Sequence, residues 1–112
     1  MRTTLLFRKG TNMVDIVRPK FSLGRTLATP GVLRVIEEAG QAPAEFLDRH
    51  VIGDWGEVSA EDGAANNQSL QDGSRLLSAY RTRTGAKIWI ITEAEDDEGQ
   101  RAATTILLPE EY

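Results

Sequence analysis

The stretch Lys87-Ile88-Trp89-Ile90-Ile91-Thr92-Glu93-Ala94 decides how this chain is read. Ile88 to Ile91 form an unbroken run of β-branched and aromatic residues, the kind that fits a pleated surface buried on both faces. A Thr84-Gly85 turn precedes it, and an acidic loop from Glu95 to Gly99 follows. The stretch therefore reads as the middle strand of a meander.

Its neighbours follow from it. From Arg75 the pattern has period two, and a two-residue turn at Thr84-Gly85 pairs Tyr80 with Trp89 and Ser78 with Ile91 on one face. Ala79 with Ile90 and Arg81 with Ile88 fall on the other. Ala102 to Leu108 supplies a third strand, stopped by Pro109.

Upstream the period changes to that of helices. Thr29-Pro30-Gly31 is a start signal, since Thr caps the helix and Pro at its first position gives up an amide that had no partner anyway. Val32, Leu33, Val35, Ile36 and Ala39 make one apolar face, and Gly40 stops it. A second helix runs from near Pro43 to about His50, with Phe46, Leu47, His50 and Val51 at helical spacing. Ser59-Ala60-Glu61-Asp62 has capping-box spacing and opens a third, from Ala60 to about Gln71, closed by Asp72-Gly73. Phe21-Ser22-Leu23-Gly24 reads as a short edge strand. The expected fold is α+β: a helical hairpin and a third short helix packed on one face of a three-stranded antiparallel β-meander. Residues 21–112 form that single domain, and residues 1–20 form a basic, flexible N-terminal arm.

Composition bounds the chemistry. The 112 residues are enough for one core and too few for two. There is no cysteine, which excludes disulfides, thiolate zinc sites and a cysteine nucleophile. No apolar run is long enough to cross a bilayer, and Leu5-Leu6-Phe7 is too brief for a signal peptide, so a cytoplasmic protein is expected. The net charge of −4 conceals an asymmetry. Residues 1–25 hold six bases (Arg2, Arg8, Lys9, Arg18, Lys20, Arg25) against the single acid Asp15. From Glu57 onward eleven acids face five bases. A basic segment can neutralise phosphates, so residues 1–25 are the candidate contact to nucleic acid; a solvated leader is the plainer alternative.

Catalytic sets are scarce. His50 is the one histidine and Asp54 follows it by four, so an acid–base pair beside Trp55 is the one catalytic candidate. A histidine at a helix C-terminus more ordinarily meets the last carbonyls. No nucleophile elbow surrounds Ser59, Ser74 or Ser78, and no Gly-rich phosphate loop occurs. The run Glu95, Asp96, Asp97, Glu98 lacks the alternation of a calcium loop, and no metal or cofactor is expected. Asp54 and Trp55 in the Gly53–Gly56 turn, together with Glu95, Asp96, Asp97 and Glu98, are the candidate binding residues. Trp55, flanked by glycines, either tucks inward as a core anchor or points outward to a partner.

Several phrases occur in an order and spacing similar to a family of small bacterial proteins of plasmids, prophages and integrated elements. They are Phe-Ser-Leu-Gly at 21–24, Ala-Thr-Pro-Gly at 28–31, Glu-Glu-Ala-Gly at 37–40, Arg49-His50 and Gly-Asp-Trp-Gly at 53–56. Arg-Leu-Leu-Ser-Ala-Tyr at 75–80, Trp-Ile-Ile-Thr-Glu at 89–93 and Thr-Thr-Ile-Leu-Leu-Pro-Glu-Glu-Tyr at 104–112 complete them. The family has no established activity, the loop after Glu93 is longer and more acidic here, and the basic leader lies outside the resemblance. What the resemblance implies is context: accessory factors and inhibitors of host defence, anti-restriction and anti-CRISPR proteins among them, which act by presenting a surface. The expectation is a binding protein with a protein partner, more than an enzyme.

Overall fold

The computed structural model describes residues 18–112 in full, and residues 4–7 and 14–17 through their backbone. Within the expected arm, β1 (Thr4–Phe7) and β2 (Val14–Val17) pair antiparallel as a separate two-stranded sheet. Arg2, Arg8 and Lys9 lie outside the described residues.

The main sheet corrects the expected three-stranded meander. It has four strands and is mixed, because β3 (Arg25–Ala28) lies parallel to β6 (Ala103–Leu107). β4 (Leu76–Arg81) and β5 (Lys87–Thr92) continue it antiparallel, in the order β3-β6-β5-β4. The edge strand expected at 21–24 thus forms just after it, at 25–28. Arg-Thr-Leu-Ala has little strand signal of its own. Its partner is about eighty residues on, and a parallel pair needs a long crossover that leaves no local trace in the sequence.

The hairpin register is also displaced by one. Thr82 N–H donates to Ala86 O (2.9 Å) and Gly85 N–H to Thr82 O (2.9 Å), leaving Arg83, Thr84 and Gly85 as a three-residue loop. Gly85, at φ +88°, supplies the left-handed residue this loop requires. The extra loop residue pairs Tyr80 with Ile88 and Ser78 with Ile90, where the two-residue turn would have paired them with Trp89 and Ile91. Such a slip exchanges the faces of one strand relative to its partner. Leu76, Ser78, Tyr80, Ile88, Ile90, Thr92, Thr104 and Ile106 consequently share one buried face, and Trp89 lies half-buried on the other, 5.7 Å from Tyr112.

Three helices follow their sequence signals. α1 (Pro30–Glu38) is capped by Thr29, whose Oγ1 accepts from Val32 N–H (3.2 Å). It buries Val32 and Ile36. α2 (Pro43–Val51) buries Phe46, His50 and Val51. α3 (Ala60–Asp72) starts where Ser59 Oγ accepts from Asp62 N–H (3.0 Å) and ends at Gly73, φ +80°. α1 and α2 build the larger core, Val32, Ile36 and Phe46 against Tyr80, Ile88, Ile90 and Ile106. A smaller core joins Phe21, Trp55 and Leu76, with Leu23, Val58 and Leu70 around it.

The β4 edge is sealed. The Asn66 amide from α3 donates to Leu77 O (2.7 Å) and accepts from Leu77 N–H (3.0 Å). Ala79 is covered next along: its N–H donates to Trp55 O (3.0 Å) and its O accepts from Glu57 N–H (2.6 Å). Gly56 sits in that crossing at φ +74°, where a Cβ would lie 2.0 Å from Ala79 O, so a residue other than glycine cannot approach so closely.

Candidate functional site

His50 is carried by the last turn of α2 to the sheet face and is 0% exposed. Its Nδ1 lies 2.5 Å from Ser78 Oγ and its Nε2 2.8 Å from Thr92 Oγ1. Thr92 Oγ1 is in turn 2.7 Å from Thr104 Oγ1, which donates to Leu23 O (2.7 Å). A carbonyl only accepts, and each hydroxyl has one proton, so the terminal carbonyl sets the directions as far as the ring: Thr104 donates to Leu23, Thr92 to Thr104, and His50 Nε2–H to Thr92. Burial, and then the charge of Arg101, push the imidazole pKa down to about 3. The ring is then the neutral Nε2–H tautomer, and its Nδ1 accepts from Ser78 O–H.

Asp54 does not join this chain. Its carboxylate takes Arg49, with Nε to Oδ2 at 2.7 Å, and that hydrogen bond holds it below the usual carboxylate range. The two members of the acid–base candidate thus have different partners, one buried and one at the surface. Trp55, beside Asp54, turns inward and is 8% exposed. Its ring stacks on Phe21 (centroids 6.1 Å apart), meets His50 edge-on (5.8 Å), and its Nε1–H donates to Asn67 Oδ1 (3.1 Å).

The acidic loop lies at the end of the sheet where β4 and β6 begin and β5 finishes. Glu95 N–H donates to Gly73 O (2.8 Å), which ties the loop to the C-terminus of α3. Asp96 Oδ1 accepts from the backbone of Glu98 (2.9 Å) and Gln100 (2.9 Å), shaping the turn from within. Glu93, Asp97 and Glu98 are exposed, and Asp72 adds a carboxylate at the end of α3, held below its usual range by Ser74. Arg101, 5% exposed, is the organiser beneath them. Its Nη1 donates to Ser74 O (2.8 Å) and Glu93 O (2.9 Å), its Nη2 to Ser69 O (3.2 Å), and Glu95 approaches at 3.8 Å. The guanidinium fork thereby joins α3, the start of β4 and the end of β5.

A cavity of about 500 Å³ opens between α2 and the segment leading into β3, lined by Phe21, Leu23, Thr26, Ala44, Leu47 and Val51 among others. Among the described residues no group of three or more His, Cys, Asp or Glu side chains is placed to hold a metal ion. Nor does any described helix have the length and apolarity to cross a membrane.

The sequence singles out His50, Asp54, Trp55 and residues 95–98, weighs Ser78 only as a nucleophile, and gives no notice of Thr92, Thr104 or Arg101. The hydroxyls carried a signal: at the correct register they fall on the core-facing parity of otherwise apolar strands, where a polar group needs a buried partner. No family model, curated protein or solved structure matches the chain.

Proposed function

We propose that this chain is a small non-catalytic binding protein. On this reading it is a cytoplasmic accessory factor of a bacterial mobile genetic element, and it inhibits a host-defence complex by covering a basic, nucleic-acid-binding cleft. The observation that carries the reading is the acidic pole, where Asp72, Glu93, Glu95, Asp96, Asp97 and Glu98 are all exposed at one end of the sheet. These carboxylates crowd the C-terminus of α3, whose dipole is itself negative, an arrangement that a cationic partner relieves. The base beneath them is rigid, because Arg101 and the Asp96 turn fix the backbone that presents them. The rival reading, acid–base chemistry by His50 and Asp54, draws no support from the geometry. The ring nitrogens face Ser78 and Thr92, and the carboxylate faces Arg49.

The test is recovery of partners from a host lysate with the full chain as bait, at low and at high salt. The expected result is a nucleic-acid-binding protein retained at low salt and released at high salt, since exposed charge pairs are screened. Recovery of no partner at either salt would overturn the reading.

A further inference from the structure

The two edges of the main sheet are treated differently. At β4 the outward backbone groups of Leu77 and Ala79 are taken by the Asn66 amide and by the Trp55–Glu57 crossing. At β3 the described residues provide no such cover. Arg25 N–H donates to Ala102 O (3.0 Å) and Thr29 N–H to Ile106 O (3.1 Å), so the odd residues face β6. The N–H and C=O of Thr26 and Ala28 then point outward, and among the described residues β3 pairs with β6 alone. Thr26 is exposed. An open edge is a template for another strand, and proteins ordinarily blunt such edges as this one does at β4.

Both sides of that edge are furnished for side chains. On the core side Thr26 borders the 500 Å³ cavity, whose lining combines apolar Phe21, Leu23, Leu47 and Val51 with polar Ser22 and Asp48. On the opposite face stand Arg25, exposed, and Leu27, 40% exposed and one of three large hydrophobics so exposed among the described residues. A strand added here places alternate side chains on the two sides. We infer that β3 receives an extended segment of a partner protein by strand addition. The segment carries a large apolar residue opposite Thr26 that enters the cavity, an acidic residue beside Arg25 and an apolar one beside Leu27. Main-chain hydrogen bonds to Thr26 and Ala28 supply affinity, and the cavity and Arg25 supply specificity. Charge favours this occupant over a second copy: symmetric β3–β3 pairing would bring the exposed Arg25 of two chains towards one another, whereas an acidic residue on a partner segment complements it. The proposal uses no carboxylate of the acidic pole, so the two proposals stand or fall by different substitutions.

Two synthetic peptides test it with the full chain, one carrying Val-Phe-Glu for antiparallel entry and one Glu-Phe-Val for parallel entry, each flanked by Ser and Thr. Binding is followed by NMR together with amide exchange. In the free protein the Thr26 and Ala28 amides should exchange rapidly; a bound peptide should slow both. Thr26→Pro, which removes an outward N–H and is tolerated at an edge, and Ala44→Trp, which fills the cavity from an exposed position, should each weaken binding about tenfold or more. Their spectra and melting temperatures report whether each variant stays folded. If neither peptide protects these amides, or Thr26→Pro binds as well as the parent, strand addition is wrong. If both amides are already protected without peptide, the sedimentation state names the other occupant: residues 1–17 in a monomer, a second copy in a dimer. Either result overturns the proposal.

Discussion

His50 and Trp55 touch, yet they stabilise the fold by different physics. Trp55 does so by apolar burial against Phe21 and Leu76, with its one polar atom satisfied by Asn67. Trp55→Ala should therefore cost about 3–5 kcal/mol, as large-to-small core changes do. Thermal melting beside the parent checks this; an unchanged melting temperature would mean that the indole is not a core anchor. His50 contributes through a buried hydrogen-bonded chain, and burial keeps its ring neutral. The unfolded chain binds a proton there near pH 6.5, while the folded ring holds out to about pH 3. Between these values the unfolded state binds more protons. Stability is thus complete above the upper value and declines as pH falls through the window, by up to about 1.4 kcal/mol per pH unit from this group. Urea midpoints taken across the upper part of that window should show the decline, and His50→Gln should flatten it. Equal slopes in parent and variant would show that the imidazole is already charged when folded.

At the scale of elements, Asn66 and Arg101 join pieces that backbone bonding alone leaves separate. Asn66→Leu removes both bonds to Leu77, and should lower stability by about 1–3 kcal/mol while baring part of the β4 edge. Urea denaturation reads the first effect and light scattering the second. Arg101→Lys keeps the charge but cannot satisfy the carbonyls of Ser69, Ser74 and Glu93 in one plane, so it should lose about 2 kcal/mol or more. A variant as stable as the parent would show that charge alone matters there.

Elements defined by local chemistry were legible in the sequence: the Thr29 and Ser59 caps, the prolines opening α1 and α2, and Gly73 closing α3. What could not be read was set by distant or single-residue geometry. β3 depends on a parallel partner far along the chain, and the hairpin faces depend on whether two or three residues form the turn. The candidate site was readable to the same extent. The charge of residues 95–98 stands in the sequence, whereas the partners of His50 required the register, and the role of Arg101 required the packing of α3 against the ends of β4 and β5.

For the whole molecule, the distribution of charge and the unequal sheet edges decide what it can meet. The acidic pole contains carboxylates of two kinds. Asp96 and Glu95 hold the loop in shape, while Glu93, Asp97 and Glu98 are exposed and have no hydrogen bond or ion pair from their side chains among the described residues. Charge reversal at these three positions separates recognition from folding, since surface changes away from such contacts ordinarily alter stability by about 0.5 kcal/mol or less. The decisive measurement is lysate capture with Glu93→Lys/Asp97→Lys/Glu98→Lys beside the parent at low salt, after confirming equal melting temperatures. The reversed chain should fold as the parent does and lose the salt-sensitive, nucleic-acid-binding partner. Retention of that partner at the parent level by the folded variant would contradict it.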